Sequence, residues 1–251
     1  MFPPFPEAFD SSGCFETCRV SRGKVLRLQE HLKRLLDSAR TLGVSFSPSQ
    51  ARLALAGKAR EVGEGFVRIA VRRWGEPKIL LHSHRGLPYS KAQRARGVSV
   101  MTVAQRQSAT EAVPAQVKHS ERLGSVMAQA EGRAAAEVLR LGPQGYLTEG
   151  LVSNLFLVKG GKLITPPLWL GVLEGVTRGR ILEEATRLKV PVAELPVTRH
   201  DLFNAEEAFL TNVLMEVLPI RQVDGRSIGT HVPGRITRRL LQKLKRSGHR
   251  R

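Results

Sequence analysis

The hydrophobic pattern changes period several times along the chain, and each change marks an element. Residues 13–28 read as two short strands around a turn at Ser21-Arg22-Gly23-Lys24. Leu28, Leu32, Leu35, Ala39 and Leu42 then recur at helical spacing, and Gly43 stands where a C-terminal cap belongs. Residues 49–62 form a second helix, with Pro48 near its start. Residues 66–73 alternate apolar with basic positions, the signature of a half-buried strand. Residues 78–83 should pair with it across Trp74-Gly75-Glu76-Pro77, and residues 98–103 form a further strand. The polar stretch 104–115 ends in Val113-Pro114-Ala115 and is the expected domain boundary. Beyond it, the alanine-rich residues 120–141 read as one long helix. Residues 154–158 and 163–165 form a hairpin around Lys159-Gly160-Gly161-Lys162. Residues 177–188 form a helix that opens just after Gly175, and residues 208–212 a buried strand. The chain ends in a basic helix with Ile236, Leu240 and Leu244 on one side. Strands grouped beside helices without strict βαβ alternation predict an α+β fold. The expected division is a smaller α+β domain over 1–104, a linker over 105–115 and a larger domain over 116–251.

Composition narrows the class. A 41% hydrophobic and 25% charged chain of 251 residues has enough material for one large core or two modest ones. No apolar run is long enough to span a bilayer, and the N-terminus does not read as a signal peptide, so a cytoplasmic protein is expected. Cys14 and Cys18 are spaced C-x3-C with no partner cluster, which is neither a zinc nor a redox motif; reduced, partly buried thiols are expected, and no metal. The formal net charge of +18 suggests anionic partners. Aromatics make up only 5% of the chain, too few for the interleaved stacking residues of a single-strand nucleic-acid binder. A small anionic substrate is the better expectation.

Four places could carry chemistry. Lys118, in Gln116-Val117-Lys118-His119, is by itself a surface lysine; burial or a neighbouring cation such as His119 or Arg122 would be needed to make it a nucleophile. Glu149, in Thr148-Glu149-Gly150, is a lone carboxylate between apolar strands and needs a cationic partner. A surface arginine would serve, and so would a protonated heterocyclic nitrogen, with Gly150 allowing close backbone approach. Gly175-Val176-Thr177-Arg178 runs from a turn into a helix, where free N–H groups and the helix dipole suit an anion, although most such termini bind only water. Arg34 lies on the first helix, either on its solvated face or at a core edge where it could meet a phosphate.

In order along the chain stand Phe15-Glu16-Thr17, the stretch from Glu30-His31-Leu32-Lys33-Arg34 to Ala39, Lys118, Thr148-Glu149-Gly150 with Ser153-Asn154-Leu155-Phe156, Thr165-Pro166-Pro167, Gly175-Val176-Thr177-Arg178 and Phe209-Leu210-Thr211-Asn212. Each block is weak, but the ordered set resembles the class IV enzymes that use pyridoxal 5'-phosphate (PLP). That family includes branched-chain and D-amino-acid aminotransferases and aminodeoxychorismate lyase. The resemblance implies the two-domain class IV fold and a homodimer. It implies that Lys118 carries PLP as a Schiff base and moves the proton. It implies further that Glu149 faces the pyridine nitrogen, and that Arg34, Thr177 and the N–H groups of Val176 and Thr177 bind the phosphate. Asn212 and Val213 would line the cofactor's other side, and Thr17 would face the substrate.

Within the family, Lys118-His119-Ser120-Glu121-Arg122-Leu123 and Thr211-Asn212-Val213-Leu214-Met215-Glu216-Val217-Leu218-Pro219 resemble the lyase. The implied activity is conversion of 4-amino-4-deoxychorismate to 4-aminobenzoate and pyruvate in folate biosynthesis. The alternative is an aminotransferase acting on branched-chain or D-amino acids.

Residues 235–251 contain eight Arg or Lys and no acid, and beyond Lys245 nothing apolar remains to bury. Chain ends of this kind usually fray. Deleting residues 246–251 should therefore leave turnover and folding unchanged at moderate salt. At low salt an acidic substrate should arrive slightly more slowly, because steering depends on net charge and screening. Measuring kcat/KM of both lengths across an ionic-strength series checks this; a large salt-independent loss would contradict it.

Overall fold

A computed structural model of the chain describes residues 13–73, 78–107, 114, 116–119 and 122–248. Two compact units emerge: Met1–Pro88 with Gln116–Arg122, and Tyr89–Ala115 with Leu123–Arg251.

In the first unit, β1 (Gly13–Ser21) turns through Arg22 and Gly23, both at positive φ, into β2 (Lys24–Val25). Two left-handed central residues are what a tight hairpin with the native strand twist demands. Helices α1 (Leu28–Thr41) and α2 (Pro48–Val62) follow. The Ser47 hydroxyl accepts from the Gln50 N–H, and Pro48 occupies the first turn, so α2 begins one residue earlier than expected. Strands β3 (Gly65–Arg72) and β4 (Ile79–Arg85) complete an antiparallel sheet of order β2-β1-β3-β4. The turn expected over residues 74–77 lies outside the described residues. Cys14, Cys18 and Val20 of β1 and Val67, Ile69 and Val71 of β3 pack with Leu35 and Leu55 of the helices. Both thiols are free and buried; burial, helped by the nearby Glu16 carboxylate, pushes Cys14 up to about 12 and Cys18 upward too, so neither is reactive. Strand β3 is not half-buried as its alternation suggests. It is an inner strand, and even its basic Arg68 has no exposed surface. Arg68 lies in register with Thr17 on one side and His82 on the other.

The second unit begins with α3 (Lys91–Arg96) and β5 (Val98–Arg106), followed by α4 (Arg122–Glu131), β6 (Glu137–Leu141), β7 (Leu147–Gly150), β8 (Asn154–Lys159) and β9 (Lys162–Thr165). A 3-10 turn at Leu168–Leu170 leads to α5 (Val176–Arg187), β10 (Val192–Glu194), α6 (Arg199–Phe203), β11 (Glu207–Thr211), β12 (Leu218–Val223), β13 (Arg226–Ser227) and α7 (Arg235–Gly248). The sheet runs β10-β9-β8-β11-β12-β5-β6-β7, and β7 pairs back onto β8. Six strands therefore close into a ring. Leu139, Leu147, Leu155, Leu157, Leu210 and Ile220 belong to one core cluster drawn from around it. The alternate residues Phe156, Val158 and Phe209 belong to another, with Ile181 of α5 and Ile236, Leu240 and Leu244 of α7. Strand β8 is buried on both faces, which is why its sequence is a continuous apolar run.

Two expectations are corrected. The long helix over 120–141 is in fact α4 followed by β6. Val138 and Leu139 fill the core as strand residues, and a Cβ at Gly132 would lie 1.9 Å from Val138 Cγ1, so the backbone at the helix end must carry glycine. The units also divide elsewhere than at 105–115. Strand β5, expected in the first domain, pairs in parallel with β12 and β6 of the second, while residues 116–122 return to the first. Among the described residues no helix is long and apolar enough to cross a membrane.

Candidate active site

In the first unit, Lys118 is held by its backbone. Its carbonyl accepts the Phe15 N–H at 3.0 Å, its own N–H donates to the Ser38 hydroxyl at 3.4 Å, and His119 bridges Cys14. Lys118 is thus tied to β1 and α1. Its Nζ lies 5.4 Å from the centroid of the Phe15 ring, within cation–π range.

Glu16 interrupts the apolar alternation of β1 on the face that meets the helices. Its Oε1 accepts from Arg34 Nε at 2.6 Å, and its Oε2 from Arg34 Nη2 at 2.8 Å, a two-bond fork; His31 Nδ1 lies 2.8 Å from Oε2. Glu16 has no exposed surface. Burial alone would push its carboxyl up. The Arg34 guanidinium, the Lys118 ammonium and the hydrogen bonds from His31 and Arg34 outweigh that and hold it well below the usual carboxylate range. Arg34 therefore stands at a core edge, braced by an acid. Thr17, one residue on, points to the opposite face of the sheet, in register with Arg68.

In the second unit, Glu149 and Asn154 face each other across β7 and β8. Asn154 Nδ2 donates to Glu149 Oε2 at 3.0 Å and to the Leu173 carbonyl at 2.9 Å, while the Leu173 N–H donates to the same Oε2 at 3.0 Å. Gly175 is the N-cap of α5 and offers no side-chain cap, so the N–H groups of Val176 and Thr177 open the helix without a capping side chain. A Cβ at Gly175 would lie 2.1 Å from Asn154 Oδ1, so Asn154 touches both the acid and the helix start. Asn212 uses its side chain on backbone: Oδ1 accepts from Leu214 and Met215, and Nδ2 donates to the Val152 carbonyl at 3.0 Å. Val213 lies half-buried in the turn that Asn212 holds.

The sequence model for amino-transferase class IV matches residues 13–223. The chain belongs to this family. It is 30% identical to a putative branched-chain-amino-acid aminotransferase of Methanocaldococcus jannaschii, over 93% of this chain and 86% of that one. Its fold superposes on a T.th. branched-chain amino acid aminotransferase solved with N-(5'-phosphopyridoxyl)-L-glutamate, with a TM-score of 0.86 and 27% identity over 96% of this chain and 86% of that one. It also matches 4-amino-4-deoxychorismate lyase from Pseudomonas aeruginosa, with a TM-score of 0.83 and 29% identity over 94% and 91% of the two chains. This class IV enzyme has the two-unit α+β architecture that the ordered motifs imply.

The lyase-like motifs carry little discriminating weight. Ser120 and Glu121 of the first lie outside the described residues. In the second, Asn212 closes a turn, which is work for the fold and not for one substrate. Sequence reading assigned no role to Glu16, His31, Arg68 or Asn154. The available signals were an acid in the apolar phase of β1 for Glu16, and an arginine in a strand read as half-buried for Arg68.

Glu16 makes the first unit acid-sensitive. Below its ordinary value of 4.5 the unfolded chain binds a proton that the folded chain refuses, so stability falls as the pH falls toward the depressed native value. Glu16→Gln should remove that acid limb. It should also cost about 3–5 kcal/mol at neutral pH, because it leaves buried cationic partners uncompensated. Urea unfolding of both proteins across the acid range checks this; parallel curves would contradict it.

Proposed function

We propose that this PLP-dependent enzyme is an aminotransferase of branched-chain amino acids. The observation that carries the reading is the likeness to a branched-chain aminotransferase over nearly the whole of both chains. The residues present fit PLP. A fixed carboxylate, Glu149, suits a protonated ring nitrogen, and the uncapped start of α5 suits a phosphate. When bound, PLP supplies an electron sink for the carbon that bears the amino group.

Within this reading Lys118 holds the cofactor and then takes and returns the proton at that carbon. Glu149 keeps a proton on the ring nitrogen, while Asn154 holds Glu149 in place. The N–H groups of Val176 and Thr177, the Thr177 hydroxyl and Arg34 bind phosphate. Glu16 keeps the Arg34 fork aligned. Asn212 and Val213 line the cofactor's other side. Thr17 faces the substrate. A homodimer working in the cytoplasm completes the proposal.

The likeness to the lyase, at comparable length, supports a second reading with the same cofactor residues. There the proton move at Lys118 would be followed by departure of pyruvate and formation of 4-aminobenzoate. One pair of incubations separates them. With leucine and 2-oxoglutarate, the enzyme should form glutamate; with 4-amino-4-deoxychorismate, it should release little pyruvate. The reverse outcome would install the lyase reading, and nitrogen exchange from D-alanine alone would redirect the substrate assignment.

Glu149→Gln should retain PLP yet lower kcat by about 10²–10³, the usual effect of losing one preorganised charge contact at a transition state. Near-wild-type turnover would remove Glu149 from this role.

A further inference from the structure

The seat of Glu149 rests on a second buried acid. Glu137 of β6 is 8% exposed. Its Oε1 accepts from the N–H groups of Val138 at 3.1 Å and Leu151 at 3.2 Å, and its Oε2 accepts the Ser153 hydroxyl at 3.1 Å. The Val152 N–H bonds to the same carboxylate. Three of these four donors lie in the short connection that leaves Glu149 and returns at Asn154. Gly150 fits only because it has no side chain: a Cβ there would lie 2.3 Å from Ser153 Oγ and 3.0 Å from Glu137 Cδ. The close approach that Gly150 permits is therefore that of Glu137 and Ser153. The same connection is tied from the other direction by Asn212 Nδ2, which donates to the Val152 carbonyl.

The donor set requires an acceptor-only group. An amide at this position would turn two N–H donors into a site already lined with donors. Burial raises the cost of the charge, and the four neutral donors offset part of it. An acid kept at such a site, next to the ring closure, needs an account that stability alone does not provide, since well-packed apolar groups often serve stability as well.

We infer that Glu137 is the positioning residue of the cofactor seat: its carboxylate fixes residues 151–153, and through them the spacing of Glu149 and Asn154. The inference rests on the proposed role of Glu149 at the ring nitrogen. Glu137 touches neither cofactor nor substrate. It acts by holding the acid that does, and small misplacements of such groups cost rate steeply.

The test compares wild-type, Glu137→Gln, Glu149→Gln and the double variant, each as full-length PLP-loaded protein. In Glu137→Gln, hydrogen exchange of the Leu151 and Val152 amides should speed up about ten-fold or more as local opening becomes easier. The absorption spectrum of bound PLP should shift in the same direction as in Glu149→Gln. Its kcat should fall by about 10–100-fold, the range typical of groups that orient a ligand from behind, with KM little changed. The double variant should be no slower than Glu149→Gln alone, because both changes act on one contact. Wild-type exchange at Leu151 and Val152, or faster exchange with an unaltered spectrum and kcat, overturns the inference. Should Glu137→Gln not fold, Ser153→Ala removes a single donor; it should give the same changes at a few-fold level, and wild-type values there overturn the inference equally. Full activity of Glu149→Gln would instead sink the proposed role of Glu149, while amide exchange in Glu137→Gln would still report on the clamp.

Discussion

The second unit depends on one closure. Six strands form a ring only because Glu149 of β7 and Asn154 of β8 meet in register, and the same two residues are bonded through their side chains. Here the last pair closed also bears the acid of the candidate site. Asn154 extends the constraint outward. It reaches the Leu173 carbonyl and presses on Gly175, so the position of the acid and the starting point of α5 are set together. A geometric requirement of the ring thus becomes a chemical one: the groups suited to the two ends of a cofactor are held by one amide side chain.

The first unit is organised around a different constraint, a charge taken out of water. Glu16 would be an expensive residue on the core face of β1 without the fork of Arg34 and the bond to His31. Given those partners, the acid does for Arg34 what packing alone could not: it fixes the plane of a guanidinium at the edge of a helix. The Lys118 ammonium lies in the field of the same carboxylate. Two cations that would otherwise repel are kept in one neighbourhood by a shared anion.

Legibility in the sequence followed the range of the forces involved. The hairpin of β1 and β2, helices α1, α2 and α5, and the hairpin of β8 and β9 are set by local turn chemistry and by periodicity, and their outlines could be read directly. The stretch 120–141 could not. Its alanines have strong helix propensity, but Val138, Leu139 and Leu141 are claimed by a sheet in which β6 lies between β7, the next strand along the chain, and the remote β5. Assignment of β5 to the wrong domain has the same origin, since its partners β6 and β12 are remote in sequence. The candidate residues stood in the ordered blocks by which the chain resembles its family, and that family's model matches residues 13–223. Their supporting partners were not recognised as such. Asn154 stood within a recognised block without a role, Glu16 likewise, and Glu137 was hidden in a segment read as helix. A supporting residue is defined by what lies across the sheet from it, and spacing along the chain carries little of that.

The path of the chain between its two units has an evolutionary corollary. The first unit is discontinuous: residues 116–122, with Lys118 among them, return to it after β5 has already joined the second sheet. Gene fusion or shuffling at a single junction therefore cannot exchange one unit for a homologue's. A crossover near residue 88 would pair one parent's β1 with the other parent's lysine segment, and the Phe15–Lys118 and Cys14–His119 backbone contacts would have to re-form between strangers. The lysine segment and the strand that holds it therefore have to be inherited as a pair.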